Sequence, residues 1–155
     1  MKLVVRVIEA RNLPAMDLNG LSDPYVRLQL GRQRSRTKVV KKCLTPSWGE
    51  EFNFRVEDLS EELLISVMDE DKYFNDDFIG QLKVPVSDVF DNELKSLDTA
   101  WYSLKPKDKS SRIRNAVKFF YLYILPVTII SRKQNPAEIV HLWQGDLLND
   151  MMIHL

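Results

Sequence analysis

The chain has 155 residues, enough for one domain with a real core and too few for two comfortable ones. Hydrophobic residues at 45% and charged residues at 28% are ordinary globular values, and 22 acidic groups cancel 22 basic ones, which excludes a nucleic-acid polycation. Cys43 is the single cysteine, so no internal disulfide forms, as suits a reducing cytoplasmic setting. Met1 to Ala10 carries Arg6 and Glu9 inside its apolar run, so it is a strand and not a secretion signal.

In chain order, Leu3, Val5 and Val7 alternate with Lys2, Val4, Arg6 and Ile8, a first strand ended by Asn12-Leu-Pro14. Val26, Leu28 and Leu30 alternate with Tyr25, Arg27 and Gln29 until Gly31 turns the chain. Residues 32–40 are expected as a third strand with Arg32, Arg34, Arg36 and Lys38 on one face, and Lys41 and Lys42 extend the charge into the next loop. Phe52, Phe54 and Val56 form a fourth inward-facing set. Strands follow near 62–68, 79–84 and 99–104, with a short helix around Asp88-Val-Phe90. A closing strand is available from Val117, Phe119, Tyr121 and Tyr123. The apolar stretch from Phe119 to Ile130 is too short to span a bilayer and contains Pro126. Short strands at this spacing, with turns rich in Pro, Gly, Asn and Asp, predict an antiparallel all-β sandwich.

Two acidic segments stand out. Val67 to Gly80 contains Asp69, Glu70, Asp71, Asp76 and Asp77, a charge density that water or a divalent cation must neutralise. It is not an EF-hand: counting from Asp69, positions 5, 6 and 12 are Tyr73, Phe74 and Gly80. Any metal site therefore draws on a second segment, Met16-Asp-Leu-Asn-Gly-Leu-Ser-Asp-Pro24, where Asp17 and Asp23 flank an Asn-Gly turn. The plain alternative is that these aspartates are turn formers and solvated charges, which accounts for two of them.

Leu13-Pro-Ala-Met-Asp-Leu-Asn-Gly-Leu-Ser-Asp-Pro-Tyr-Val26, then Leu44-Thr-Pro-Ser-Trp-Gly-Glu-Glu-Phe-Asn-Phe54, then Asp69-Glu-Asp71 and Asp77-Phe-Ile-Gly80, resemble the signature blocks of the C2 domain, in that family's order. The stretch is also similar to the N-terminal C2 module of plant C2 and GRAM domain-containing proteins. The resemblance implies an eight-stranded Greek-key β-sandwich over residues 1–125, with calcium-binding loops at one end. It leaves residues 126–155 as an atypical tail. It also implies a Ca2+ site made by Asp17, Asp23, Asp69, Asp71 and Asp77, helped by the main-chain carbonyls of Met16 and Glu70. A peripheral membrane module follows, expected to be a cytoplasmic monomer that associates reversibly with anionic phospholipids, phosphatidylserine or phosphoinositides.

Leu18, Tyr73 and Phe74 fall at the loop tips, either to enter a membrane boundary or to pack on one another. The basic row exceeds what edge protection needs, and anionic lipid attracts such residues by about 1 kcal/mol each. Tyr25, Arg27, Arg36 and Lys38 match positions of a phosphoinositide-binding strand in some C2 domains, whereas Met68 replaces one aromatic position. Phosphoinositide selectivity and general anionic binding both stay open, as does a calcium-independent adaptor using the basic face. Nucleic acid is not expected, because no aromatic residues interleave with the row. No catalytic constellation is present either: His141 and His154 lie in the tail, Cys43 has no partner, and Trp48, Phe52 and Trp101 are expected as core.

Overall fold

The computed structural model describes residues 1–91, 97–106 and 119–127. These form two four-stranded sheets, each antiparallel throughout. One runs β4 (Ser47–Arg55), β1 (Lys2–Arg11), β8 (Phe119–Val127), β7 (Leu97–Ser103); the other runs β3 (Gln33–Arg36), β2 (Pro24–Leu30), β5 (Glu62–Asp69), β6 (Asp77–Pro85). A five-residue helix, α1 (Val86–Phe90), follows β6 directly and contributes Val86 and Val89 to the interior. The expected strands appear with small changes of boundary, β3 excepted. Of the expected tail 126–155, Pro126 and Val127 belong to β8, and the rest, with His141 and His154, lies outside the described residues.

Alternation of side chains across the pleat builds the core. Leu3, Val5 and Val7 of β1, Val26, Leu28 and Leu30 of β2, and Leu63, Ile65 and Val67 of β5 are all buried between the sheets. Phe54, Ile79, Val84 and Leu104 belong to the same core. Trp48 and Phe52 pack partly buried against it. Trp101 departs from expectation: it is exposed, with the Arg11 guanidinium 4.5 Å from its ring centroid, because its strand turns that face outward.

The two edges where the sheets meet are stitched by polar contacts. The Gln33 amide donates to the Arg55 carbonyl at 2.6 Å and accepts from the Arg55 N–H at 2.8 Å, standing in for a ladder pair between β3 and β4. On the opposite side, Gln81 and Lys105 exchange main-chain bonds of 2.9 and 2.8 Å. That approach needs a glycine beside it, since a Cβ on Gly80 would lie 2.8 Å from the Leu104 Cβ.

β3 is shorter than the expected 32–40. After Arg36 the Thr37 hydroxyl takes the Val26 N–H at 2.9 Å and the Lys38 N–H turns to Glu50 at 2.8 Å, so the regular ladder stops. The chain still follows β2, with Val40 N–H on the Pro24 carbonyl at 3.0 Å.

Gly80→Ala tests the β6 edge. Leu104 must shift to admit the methyl, so the substitution is expected to destabilise by about 1–3 kcal/mol in urea unfolding. A neutral result would show that the packing at Leu104 is not tight.

Candidate metal centre

Three loops meet at one end: 12–23 between β1 and β2, 37–46 between β3 and β4, and 70–76 between β5 and β6. Main-chain bonds join them, Leu13 N–H to Leu44 O at 3.1 Å, Cys43 N–H to Ser22 O at 2.8 Å and Glu70 N–H to Asp23 O at 3.0 Å. Each loop is also set locally. In the first, the buried Ser22 hydroxyl accepts the Met16 N–H at 3.0 Å and donates to the Pro14 carbonyl at 2.8 Å. Asn19 Oδ1 caps the Leu21 N–H at 2.9 Å, and Gly20 supplies the left-handed φ of +79° that the turn requires. In the third, Asp71 Oδ1 accepts the N–H groups of Tyr73 (2.8 Å) and Phe74 (3.3 Å), which folds the tip over that carboxylate.

The consequence is a cleft of about 450 Å³ lined by Met16, Asp17, Leu18, Asn19, Asp69, Asp71 and Asp77. Four of the five aspartates named from sequence share it. The register makes part of this unavoidable, because Asp69 and Asp77 are direct cross-strand partners in β5 and β6. The β5–β6 register shifts at Val67/Met68, where Ile79 of β6 is skipped, and Val67, Met68 and Asp69 are buried in succession, so Asp69 is held in the protein.

Asp23 stands beside the cleft and does not line it. Its N–H donates to Asp69 Oδ1, while its own carboxylate faces the second loop, accepting the Lys42 N–H at 2.7 Å and the Lys41 ammonium at 3.3 Å. Lys41 also donates to Glu70 Oε2. Lys41 is thus not a free member of the basic row; the opposite charges at the loop mouth have drawn it in.

The electrostatics follow from this placement. Burial pushes Asp69 up to about 6; the Asp23 N–H works against this, and the charges of Asp17, Asp23 and Asp77 add to it. Burial also works to raise Asp23, but the Lys42 N–H and Lys41 outweigh it and hold that carboxyl below its usual range. Among the described residues no three Asp, Glu, His or Cys side chains are already gathered as one ion's donor set. The donor chemistry nonetheless fits a hard cation: only oxygens line the cleft as charged groups, and Asp69 retains uncompensated negative neighbours.

Asp76, not named as a site residue from sequence, organises this region. One of its oxygens accepts the Asp71 N–H at 3.2 Å; the other accepts the Tyr25 hydroxyl and the Arg27 guanidinium, the latter at 2.9 Å. Tyr25 is fully buried, with Arg27 and Arg36 over its ring at 5.4 and 5.6 Å. The expectation that Tyr25 presents itself to a lipid headgroup is therefore corrected. Tyr25 is covered, whereas Arg27 pairs with Asp76 and keeps 52% of its side chain exposed. Arg32, Arg34, Arg36, Lys38, Lys41 and Lys42 are exposed as well. So are the loop tips: Leu18, Tyr73 and Phe74 are 110%, 87% and 81% exposed, which excludes packing on one another.

A family model for the C2 domain matches residues 1–104. The chain belongs to the C2 domain family. This C2 domain is 71% identical to a C2 and GRAM domain-containing protein of Arabidopsis thaliana over 112 residues, 72% of the chain and 11% of the relative. It is 38% identical to a multiple C2 and transmembrane domain-containing protein of Drosophila melanogaster over 112 residues, 72% of the chain and 12% of the relative. The C2 domain thus spans about a tenth of the length of these relatives. Among solved structures, the paired C2 domains of extended synaptotagmin 2 in a calcium-bound form superpose with a TM-score of 0.74 at 28% identity, covering 94% of the chain and 52% of that one. A C2 domain of plant extended synaptotagmin 1 superposes at 0.65 and 25% identity, covering 82% and 95%. Both resemblances read from the sequence are thereby confirmed.

The raised Asp69 has a pH consequence. An acid whose folded pKa exceeds its unfolded value of about 4 holds its proton more tightly when folded, so metal-free stability increases as pH falls from 6 towards 4. Asp69→Asn is expected to abolish that rise and to lift the metal-free melting temperature at pH 7. Thermal unfolding across pH 4–7 in chelator checks it; a wild-type midpoint that falls steadily through this window would contradict the placement of Asp69.

Proposed function

We propose that this C2 domain is a non-catalytic targeting module that binds anionic phospholipid membranes in a calcium-dependent way. In this reading the complete sandwich has eight strands in Greek-key order with its calcium loops at one end. It acts as a monomer, in the cytoplasm, and joins the membrane reversibly. The observation that carries the reading is the shared cleft of Asp17, Asp69, Asp71 and Asp77, flanked by exposed Leu18 on one loop and Tyr73 and Phe74 on another. The calcium-bound form of a structural neighbour supports the choice of ion.

Calcium, when bound, supplies positive charge to the carboxylates and coordination positions that lipid phosphate or serine carboxylate oxygens complete. The remaining work belongs to the chain. Asp17, Asp69, Asp71 and Asp77 concentrate negative potential at the loop mouth and, unneutralised, repel an anionic bilayer. Leu18, Tyr73 and Phe74 project beyond them and enter the headgroup boundary. Arg32, Arg34, Arg36 and Lys38 add longer-range attraction from the adjoining sheet face.

Co-sedimentation with phosphatidylserine vesicles tests this. Pelleting in calcium, release by chelator, and loss of binding in the Asp69→Asn/Asp71→Asn double variant are expected. Chelator-insensitive pelleting by that variant would instead favour a calcium-independent adaptor or phosphoinositide binder using Arg32, Arg34, Arg36 and Lys38. A second series concerns the tips. Phe74→Ala is expected to weaken vesicle partitioning about tenfold while leaving calcium uptake without lipid unchanged, since the ring is buried only at the membrane. Unaltered partitioning would remove Phe74 from the membrane-entering set.

A further inference from the structure

Lys41 occupies an unusual position for a surface lysine. Its ammonium lies 3.3 Å from Asp23 Oδ2 on the first loop and donates to Glu70 Oε2 on the third. Its side chain is 46% exposed, against 18% for Asp23 and 30% for Glu70. A monovalent cation on a flexible stem therefore spans the two loops that hold the acidic cleft, bonded to an aspartate whose N–H is itself bonded to Asp69. The neighbouring Lys42 N–H at 2.7 Å fixes the other oxygen of Asp23. The hydrogen bond to Glu70, then Asp23, outweigh burial and hold the Lys41 pKa above the usual lysine value, so the group stays charged at neutral pH.

We infer that Lys41 is an internal counter-ion that competes with the divalent cation for Asp23 and, once displaced, becomes a partner for lipid phosphate. The inference rests on the function proposed above. Its physical basis is the opposition of like charges: a second positive ion in the cleft weakens the hold of the carboxylates on Lys41, and Lys41 weakens theirs on the ion. Asp23 serves one cation or the other. While Lys41 sits on Asp23 and Glu70 its charge is paired within the protein; released, it adds to the exposed Lys38 and Lys42 close to it in the chain. One residue thereby lowers calcium affinity in solution and raises membrane affinity once calcium is bound.

Calorimetric titration of calcium into the full chain, without lipid, is expected to show Lys41→Met binding about three- to tenfold tighter than wild type, the scale set by two partly exposed ion pairs. Lys41→Arg, which keeps the charge, should stay close to wild type. In chelator, Lys41→Met is expected to melt below wild type, because Asp23 and Glu70 lose their counter-charge. At saturating calcium, its affinity for phosphatidylserine vesicles is expected to fall about fivefold, because one basic group fewer reaches the lipid phosphates. The opposite signs identify the exchange. Wild type that takes up calcium with an affinity Lys41→Met leaves equal or weakens would overturn this role and leave the proposed function standing. Unchanged vesicle affinity of Lys41→Met at saturating calcium would overturn it too. Uptake by Lys41→Met but not by wild type would support the competition and refute calcium dependence for the native chain. Uptake by neither would sink both.

Discussion

Everything at the loop end depends on carboxylates that the backbone forces together against their mutual repulsion. Asp69 and Asp77 are opposed in the β5–β6 ladder, where like charges directly across from one another are unfavourable. Asp17 arrives from the other acidic loop, and Asp69 is only 3% exposed. Such an arrangement persists only because the rest of the sandwich over-determines it. Two apolar sheet faces bury Leu28, Leu30, Leu63 and Ile65 a few residues away and fix the strands from which these loops spring. The repulsion is the property that a cation can relieve.

The supports are ordinary local contacts. Ser22 ties the base of the first loop, Asp71 folds the tip of the third over itself, and Asp76 bonds Asp71 to Tyr25 and Arg27 of the second sheet. Asp76 thus joins the edge of the acidic cleft to β2, the strand beside the one that bears Arg34 and Arg36. Burial tends to raise the Asp76 pKa, but the Tyr25 hydroxyl, the Asp71 N–H and Arg27 prevail and hold it below the usual carboxylate range, so this brace keeps its charge through the acid window in which Asp69 titrates. The brace and the site carry the same residue type with opposite electrostatic fates, decided by whether cations or other carboxylates are near.

Much of this was legible in the sequence. Period-two alternation located the strands, because one face of each is buried and the other wet. The acidic loops stood out because nothing in a fold requires five acidic residues within nine positions. The tips were visible as apolar residues among charges, and Leu18, Tyr73 and Phe74 are indeed exposed. What escaped was set by pairings between residues far apart in sequence. Tyr25 looked like an outward residue until Asp76, 51 positions away, took its hydroxyl. Lys41 looked like the end of a basic row until Asp23 and Glu70 drew it into the acidic mouth. Thr37 ended β3 through a side-chain bond that mimics a ladder bond, which no periodicity announces. Alternation fixes which face a residue takes, but a charge or hydroxyl goes where its partner is.

The central claim is that segments remote in sequence form one divalent-cation site. A calcium titration followed by amide chemical shifts, with 15N-labelled protein and no lipid, tests it most directly. The account predicts saturable shifts concentrated at residues 16–23 and 69–77 and tracking one another at every calcium concentration. Shifts confined to one of the two segments, or none at millimolar calcium with or without phosphatidylserine, would contradict it.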